Sequence, residues 1–91
     1  MITPENYVKE ILKRRNMTQA ELLRKMKELK LADEKTLCKQ HLNNSINIQM
    51  GWIWARRIEI ALGLQDYTLI NMIGNPTEAQ WKKIKEVKSN V

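Results

Sequence analysis

The sequence predicts an all-α domain of five or six short helices, and three observations predict it. The 91 residues hold only three glycines and two prolines, and β-branched runs are short. Between these breakers the chain reads at helical period rather than by alternation. Twice a threonine stands three residues ahead of a glutamate or glutamine, Thr18 with Glu21 and Thr77 with Gln80. That is the spacing of a capping box, in which two side chains satisfy the free N–H groups that open a helix.

The first helix starts at Thr3-Pro4-Glu5. Threonine can cap, proline is tolerated at the first helical position, and an acid suits the positive end of the helix dipole. Tyr7, Val8, Ile11 and Leu12 form its apolar stripe, Lys13, Arg14 and Arg15 suit its negative end, and Asn16 is its stop. The second helix opens at Thr18 and buries Leu22, Leu23, Met26 and Leu29, with Leu31 and Ala32 at or beyond its end. Asp33 is the predicted N-cap of a third helix carrying Leu37, Cys38, His41 and Leu42. Its register is open by one residue, so that either Leu37 or Cys38 is the main core contact. The asparagine-rich run Asn43 to Gln49 reads as a loop.

A fourth helix is expected from about Met50 to Leu62, ended by Gly63, with Trp52, Ala55, Ile58 and Leu62 inward and Arg56, Arg57 and Glu59 around them. Asp66 is the expected cap of a short fifth helix, Tyr67 to Ile73, which Gly74 ends. After Asn75-Pro76 a last amphipathic helix carries Trp81, Ile84 and Val87. Residues 1–74 thus form the main unit. Residues 75–91 either join it or supply a dimer seam.

Composition narrows the function. The hydrophobic share, 43%, suits a folded globule and not a disordered chain. No apolar run approaches the roughly 20 residues that cross a bilayer, so no membrane partner is expected. MITPENYVKE lacks a basic segment followed by an apolar one, so no secretory signal is expected. One cysteine, Cys38, cannot form an internal disulfide, and a cytoplasmic setting is the simplest expectation. Sixteen lysines and arginines against ten acids give a net charge of +6, which attracts polyanions.

The stretch TQAELLRKM, Thr18 to Met26, resembles the Xre family of phage-repressor-like helix-turn-helix proteins. Members of that family often open the first helix of the motif with Thr-Gln, then an acid and apolar residues at this spacing. Ala61-Leu62-Gly63-Leu64 resembles the end of the family's fourth helix, and Tyr67 to Ile73 follows where a fifth is expected. The resemblance covers roughly residues 6 to 73 and implies a compact lambda-repressor-like DNA-binding domain. The chain departs from the family between the two motif helices. KELKLAD, Lys27 to Asp33, has no glycine, which predicts a longer second helix and a wider turn.

In such a motif the second helix enters the major groove, and its outward residues meet base edges. Subtracting the apolar stripe leaves Lys35, Thr36, Lys39, Gln40 and Asn43 as base-reading candidates. Lysine can donate to guanine, Gln and Asn can pair with adenine, and a threonine methyl can meet thymine. Asn44 and the loop beside it are candidates for phosphate contact. Gln19 matches the family's backbone-clamping position, beside free helix N–H groups.

Other residues are weighed against plainer roles. Cys38 and His41 could share a helix face, but no orienting group, oxyanion site or metal-ligand set accompanies them, so neither catalysis nor a cofactor is expected. Trp54 points about 200° away from Trp52 around a helix and needs another neighbour, either the final helix or a second protomer. Trp54, Trp81, Ile84 and Val87 are therefore the interface candidates. Lys82, Lys83, Lys85 and Lys88 read first as a solvated face. These readings lead to a homodimeric regulator of double-stranded DNA that needs no small molecule. The competing reading is a helix-turn-helix scaffold turned protein-interaction module, antitoxin-like or adaptor.

Overall fold

A computed structural model describes residues 2–91. Among these residues there are six helices and no strand: α1 (Pro4–Arg14), α2 (Gln19–Glu28), α3 (Lys39–Asn47), α4 (Trp52–Leu62), α5 (Thr68–Ile73) and α6 (Glu78–Glu86). Helix α4 lies at the centre of the packing, touching α2, α3, α5 and α6, while α1 packs on α3 and α5. The radius of gyration, 12.2 Å, is what a single compact chain of this length should have. None of the helices is long and apolar enough to cross a membrane.

The capping residues act as their spacing requires. Thr3 accepts the Asn6 N–H, and Thr18 with Glu21 and Thr77 with Gln80 both form reciprocal capping boxes. Val8, Ile11 and Leu12 of α1, Leu22, Leu23 and Met26 of α2, and Ala55, Ile58 and Leu62 of α4 meet in one core. Ile84 brings α6 into it and is fully buried. Beyond α6, Ser89 Oγ and the Asn90 N–H donate to the Leu29 carbonyl, and Asn90 Nδ2 donates to that of Lys30. The C-terminal segment thereby satisfies the carbonyl groups at the end of α2.

Three helices stop in the same way. Asn16, Lys30 and Gly63 each take a left-handed conformation with φ between 51° and 68°. In each case the following N–H bonds back to a carbonyl in the last turn: Met17 to Leu12, Leu31 to Met26, Leu64 to Glu59. This corrects the expected length of the second helix. Lacking a glycine did not extend it; Lys30 accepts the left-handed state, and α2 ends at Glu28. The added length lies in the connection from Leu29 to Cys38, anchored by buried Leu31 and Leu37.

Two further boundaries differ from expectation. Asp33 does not cap α3. Its Oδ1 accepts the Thr36 N–H at 2.8 Å and folds a separate turn, while Cys38 stands at the N-cap of α3. Leu37, fully buried, is the core contact, and Cys38 is only partly buried. Helix α3 then continues through Asn43, Asn44 and Asn47, where a loop was expected. Asparagine costs a helix up to ~0.7 kcal/mol per residue, but burying a leucine or isoleucine gains ~1.5–3 kcal/mol. Leu42 and Ile46, one turn apart and both buried, decide the matter.

The α4–α5 corner holds a further difference. Glu59, expected among the polar residues around α4, is fully buried. Its carboxylate accepts the N–H groups of Tyr67, Leu69 and Ile70 and so caps α5 from a neighbouring helix. Asp66, the expected cap, instead pairs with Arg56 at 3.1 Å. Arg56 also reaches Glu59 at 3.3 Å and lies over the Tyr67 ring.

Candidate nucleic-acid interface

Helix α3 is amphipathic in an unusual sense: one side is apolar, and the other is almost wholly amide. Leu42, Ser45 and Ile46 face inward, and Ser45 Oγ closes onto the His41 carbonyl at 2.9 Å. Lys39, Gln40, Asn43, Asn44 and Asn47 are exposed. Their spacing makes them one continuous face over two turns. Within it, Asn47 Nδ2 donates to the Asn43 carbonyl at 3.1 Å and to Asn43 Oδ1.

Along the sequence, the segment that holds this face is one-sided in charge. Between Glu34 and Glu59 the chain has no acidic residue, while Lys35, Lys39, Arg56 and Arg57 lie in the same stretch. A search of the sequence for acid-free windows, instead of net charge alone, would have marked this segment.

The sequence-derived candidates divide between this face and its approach. Lys39, Gln40, Asn43 and Asn44 stand together on α3. Lys35 and Thr36 do not; they belong to the turn ahead of the helix. Lys35 is exposed there, whereas Thr36 is partly buried and its backbone closes the turn with Asp33 and Cys38. Gln19 is the first residue of α2, half-exposed beside the Thr18 cap. Asn47 enters the sequence reading only as part of the loop beside Asn44, and not as a residue of the α3 face, because the run that holds it reads as a loop.

Helix α4 buttresses the approach to α3. The edge of His41 meets Trp54 with ring centroids 6.5 Å apart, and His41 Nδ1 lies 3.4 Å from the Thr36 carbonyl. The Arg57 guanidinium lies over the Trp54 ring, 5.1 Å from its centroid. Burial lowers the pKa of Arg57 from its ordinary value, and the Asp33 carboxylate opposes that shift. Hydrogen bonds from Thr36 lower the pKa of Asp33, and Arg57 adds to the effect. Trp54 thus packs against α3 and Arg57 within the same chain, and it also borders an open groove with Gln80 and Lys83 of α6.

No protein-family model matches this chain, and no curated protein or solved structure matches it either.

The remaining interface candidates lie around α6. Ile84 is taken up by the chain's own core, which corrects its placement on a dimer seam. Trp81 packs edge-on against Tyr67 with centroids 5.0 Å apart, and Val87 is half-buried at the end of α6. Trp81 and Tyr67 line an open groove with Glu78, Lys82 and Lys85. Among the described residues no group of three His, Cys, Asp or Glu side chains is gathered as a metal site would require.

Proposed function

We propose that this chain is a sequence-specific DNA-binding regulator, a lambda-repressor-like domain of the Xre type, that inserts α3 into the major groove. The observation that carries the reading is the exposed face of α3, where Lys39, Gln40, Asn43 and Asn44 stand together in a stretch without acids. Side chains of these types reach base edges with directed hydrogen bonds, and an acid among them would repel the phosphates on either side. Lys35 in the preceding turn and Gln19 at the start of α2 supply backbone contacts. A helix of nine residues spans too few base pairs for a long operator, so the proposal includes a homodimer on two half-sites. The regulator works by occupying its site in the cytoplasm, with no small-molecule effector.

The test is fluorescence anisotropy of a labelled random duplex, titrated with protein at several salt concentrations. Binding in the micromolar range that weakens steeply with salt is the expected result, because each neutralised phosphate releases condensed counterions. Absence of binding at low salt removes the reading.

One observation favours a second reading. The Leu29–Cys38 connection separates α2 from α3 by more chain than the short turn of an ordinary helix-turn-helix, and it is pinned by Asp33, by buried Leu37 and by the contact of His41 with the Thr36 carbonyl. On this reading the domain is a protein-interaction module whose α3 face meets a polypeptide. A stable complex with a protein, together with no affinity for duplex DNA, distinguishes it.

A further inference from the structure

The outward face of α3 has amides at Gln40, Asn43, Asn44 and Asn47, a single cation at Lys39, and no arginine. In the major groove guanine offers two acceptors and is matched by arginine or lysine. Adenine offers one donor and one acceptor and is matched by the amide of Gln or Asn. The composition of this face therefore favours one base.

Geometry singles out one amide. Asn47 Nδ2 donates to Asn43 at two places, the backbone carbonyl at 3.1 Å and Oδ1. The Asn47 amide nitrogen is thus engaged within its own helix and not turned to the groove. The Asn43 amide is held at a set orientation by the bond it accepts. Its own NH2 group remains free, and Oδ1 keeps a second lone pair. A donor and an acceptor side by side, on an exposed side chain fixed before contact, are what the adenine N7 and N6–H edge requires.

We propose that α3 reads adenine in the major groove through Asn43, with Asn47 as the residue that positions it, so that each half-site is built on A·T pairs. The proposal rests on the DNA-binding reading above and names its target class. Gln40 and Asn44, one turn before and one residue after Asn43, extend the same preference along the groove. Lys39 faces the end of the site nearest the start of the helix.

The experiment is selection from a duplex library randomised over about 20 base pairs, the span of two half-sites, with wild-type protein, Asn43→Ala and Asn47→Ala. Wild type is expected to enrich A·T-dominated half-sites. Replacing the contacted adenine by 7-deazaadenine, which lacks the N7 acceptor, should weaken binding on the order of tenfold. Asn43→Ala should lose the preference at that position alone. Asn47→Ala should weaken it at the same position, while the helical circular dichroism stays unchanged. Enrichment of G·C-dominated sites, salt-dependent binding with no enriched sequence, or an unchanged preference in both variants overturns the proposal and leaves DNA binding standing. No binding to any duplex removes both.

Discussion

The α4–α5 corner and the outward face of α3 are both made of polar side chains, and they employ them in opposite ways. At the corner the polar groups turn inward. Glu59 is fully buried, takes three backbone N–H groups of α5, and meets an arginine that also reaches Asp66. On α3 the polar groups turn outward, bonded to one another at Asn43 and Asn47 and otherwise open to solvent. A buried carboxylate is tolerable only where its partners are in place, so the corner is committed to holding the fold. An exposed row of amides buries no apolar surface and costs helix propensity, so the fold gains little from it. The contrast separates residues that serve the domain from residues free to serve a partner.

The largest effect is expected at Glu59. Glu59→Ala strands the N–H groups at the start of α5 and leaves Arg56 with only its exposed partner Asp66. Breaking a buried pair of this kind costs about 3 kcal/mol. In a domain of this size that lowers the Tm by on the order of 15 °C. Thermal and urea unfolding measure it. A loss well under 1 kcal/mol would mean that the corner is no more committed than the surface.

Lys39→Ala and Lys35→Ala probe the other side of the contrast. Both residues are exposed, so stability should stay within about 0.5 kcal/mol of wild type. Duplex affinity should fall in both, with the salt slope reduced by about 1 for each phosphate no longer neutralised. The larger fall is expected for Lys39, which stands on α3, and the smaller for Lys35 in the turn ahead of it. Unchanged affinity in both variants takes α3 out of the interface.

The two regions are not equally legible in the sequence. Elements with local signals are plain in it: both capping boxes, the Thr3-Pro4 start of α1, and the Gly63 stop of α4. The corner is not, because Glu59 caps a helix eight to eleven residues away, and spacing along a single helix cannot show that. Helix α3 lies later than its sequence suggests because asparagine reads as loop until Leu42 and Ile46 are known to meet the core. The shift moves Lys35 and Thr36 off the helix and hides Asn47, yet leaves Lys39, Gln40, Asn43 and Asn44 together. Side-chain types at i, i+1, i+4 and i+5 stay on one face wherever the helix begins.

A smaller effect is expected at Lys30, where a residue with a Cβ occupies the left-handed stop of α2 at φ 51°. Relief of that strain in Lys30→Gly outweighs the added freedom of the unfolded chain by a little, and about 0.5 kcal/mol of stabilisation should result. The Asn90 side chain bonds to the backbone carbonyl of Lys30, so the change leaves that bond available. Destabilisation would show that the lysine side chain contributes at this stop. Duplex affinity should not change, since α2 ends in the same place either way.

The smallest effect concerns the turn that presents α3. Hydrogen bonds from Thr36, aided by Arg57, lower the pKa of Asp33 from its ordinary value. A carboxylate lowered on folding contributes stability that is present above its unfolded pKa and is lost as pH falls through the folded one. The contribution of Asp33 should therefore be intact at neutral pH and disappear in the acid limb, below the usual carboxylate range. The variant Asp33→Asn has nothing to titrate at this position, although its amide oxygen can still accept the Thr36 N–H. Stability measured against pH should show wild type and variant converging as the solution is acidified, with the gap at neutral pH reduced by salt. A gap that stays constant into acid would mean that the turn is held by its backbone and by Leu37 alone. The presentation of α3 would then owe nothing to charge, and the contrast between an ion-paired corner and an open face would be complete.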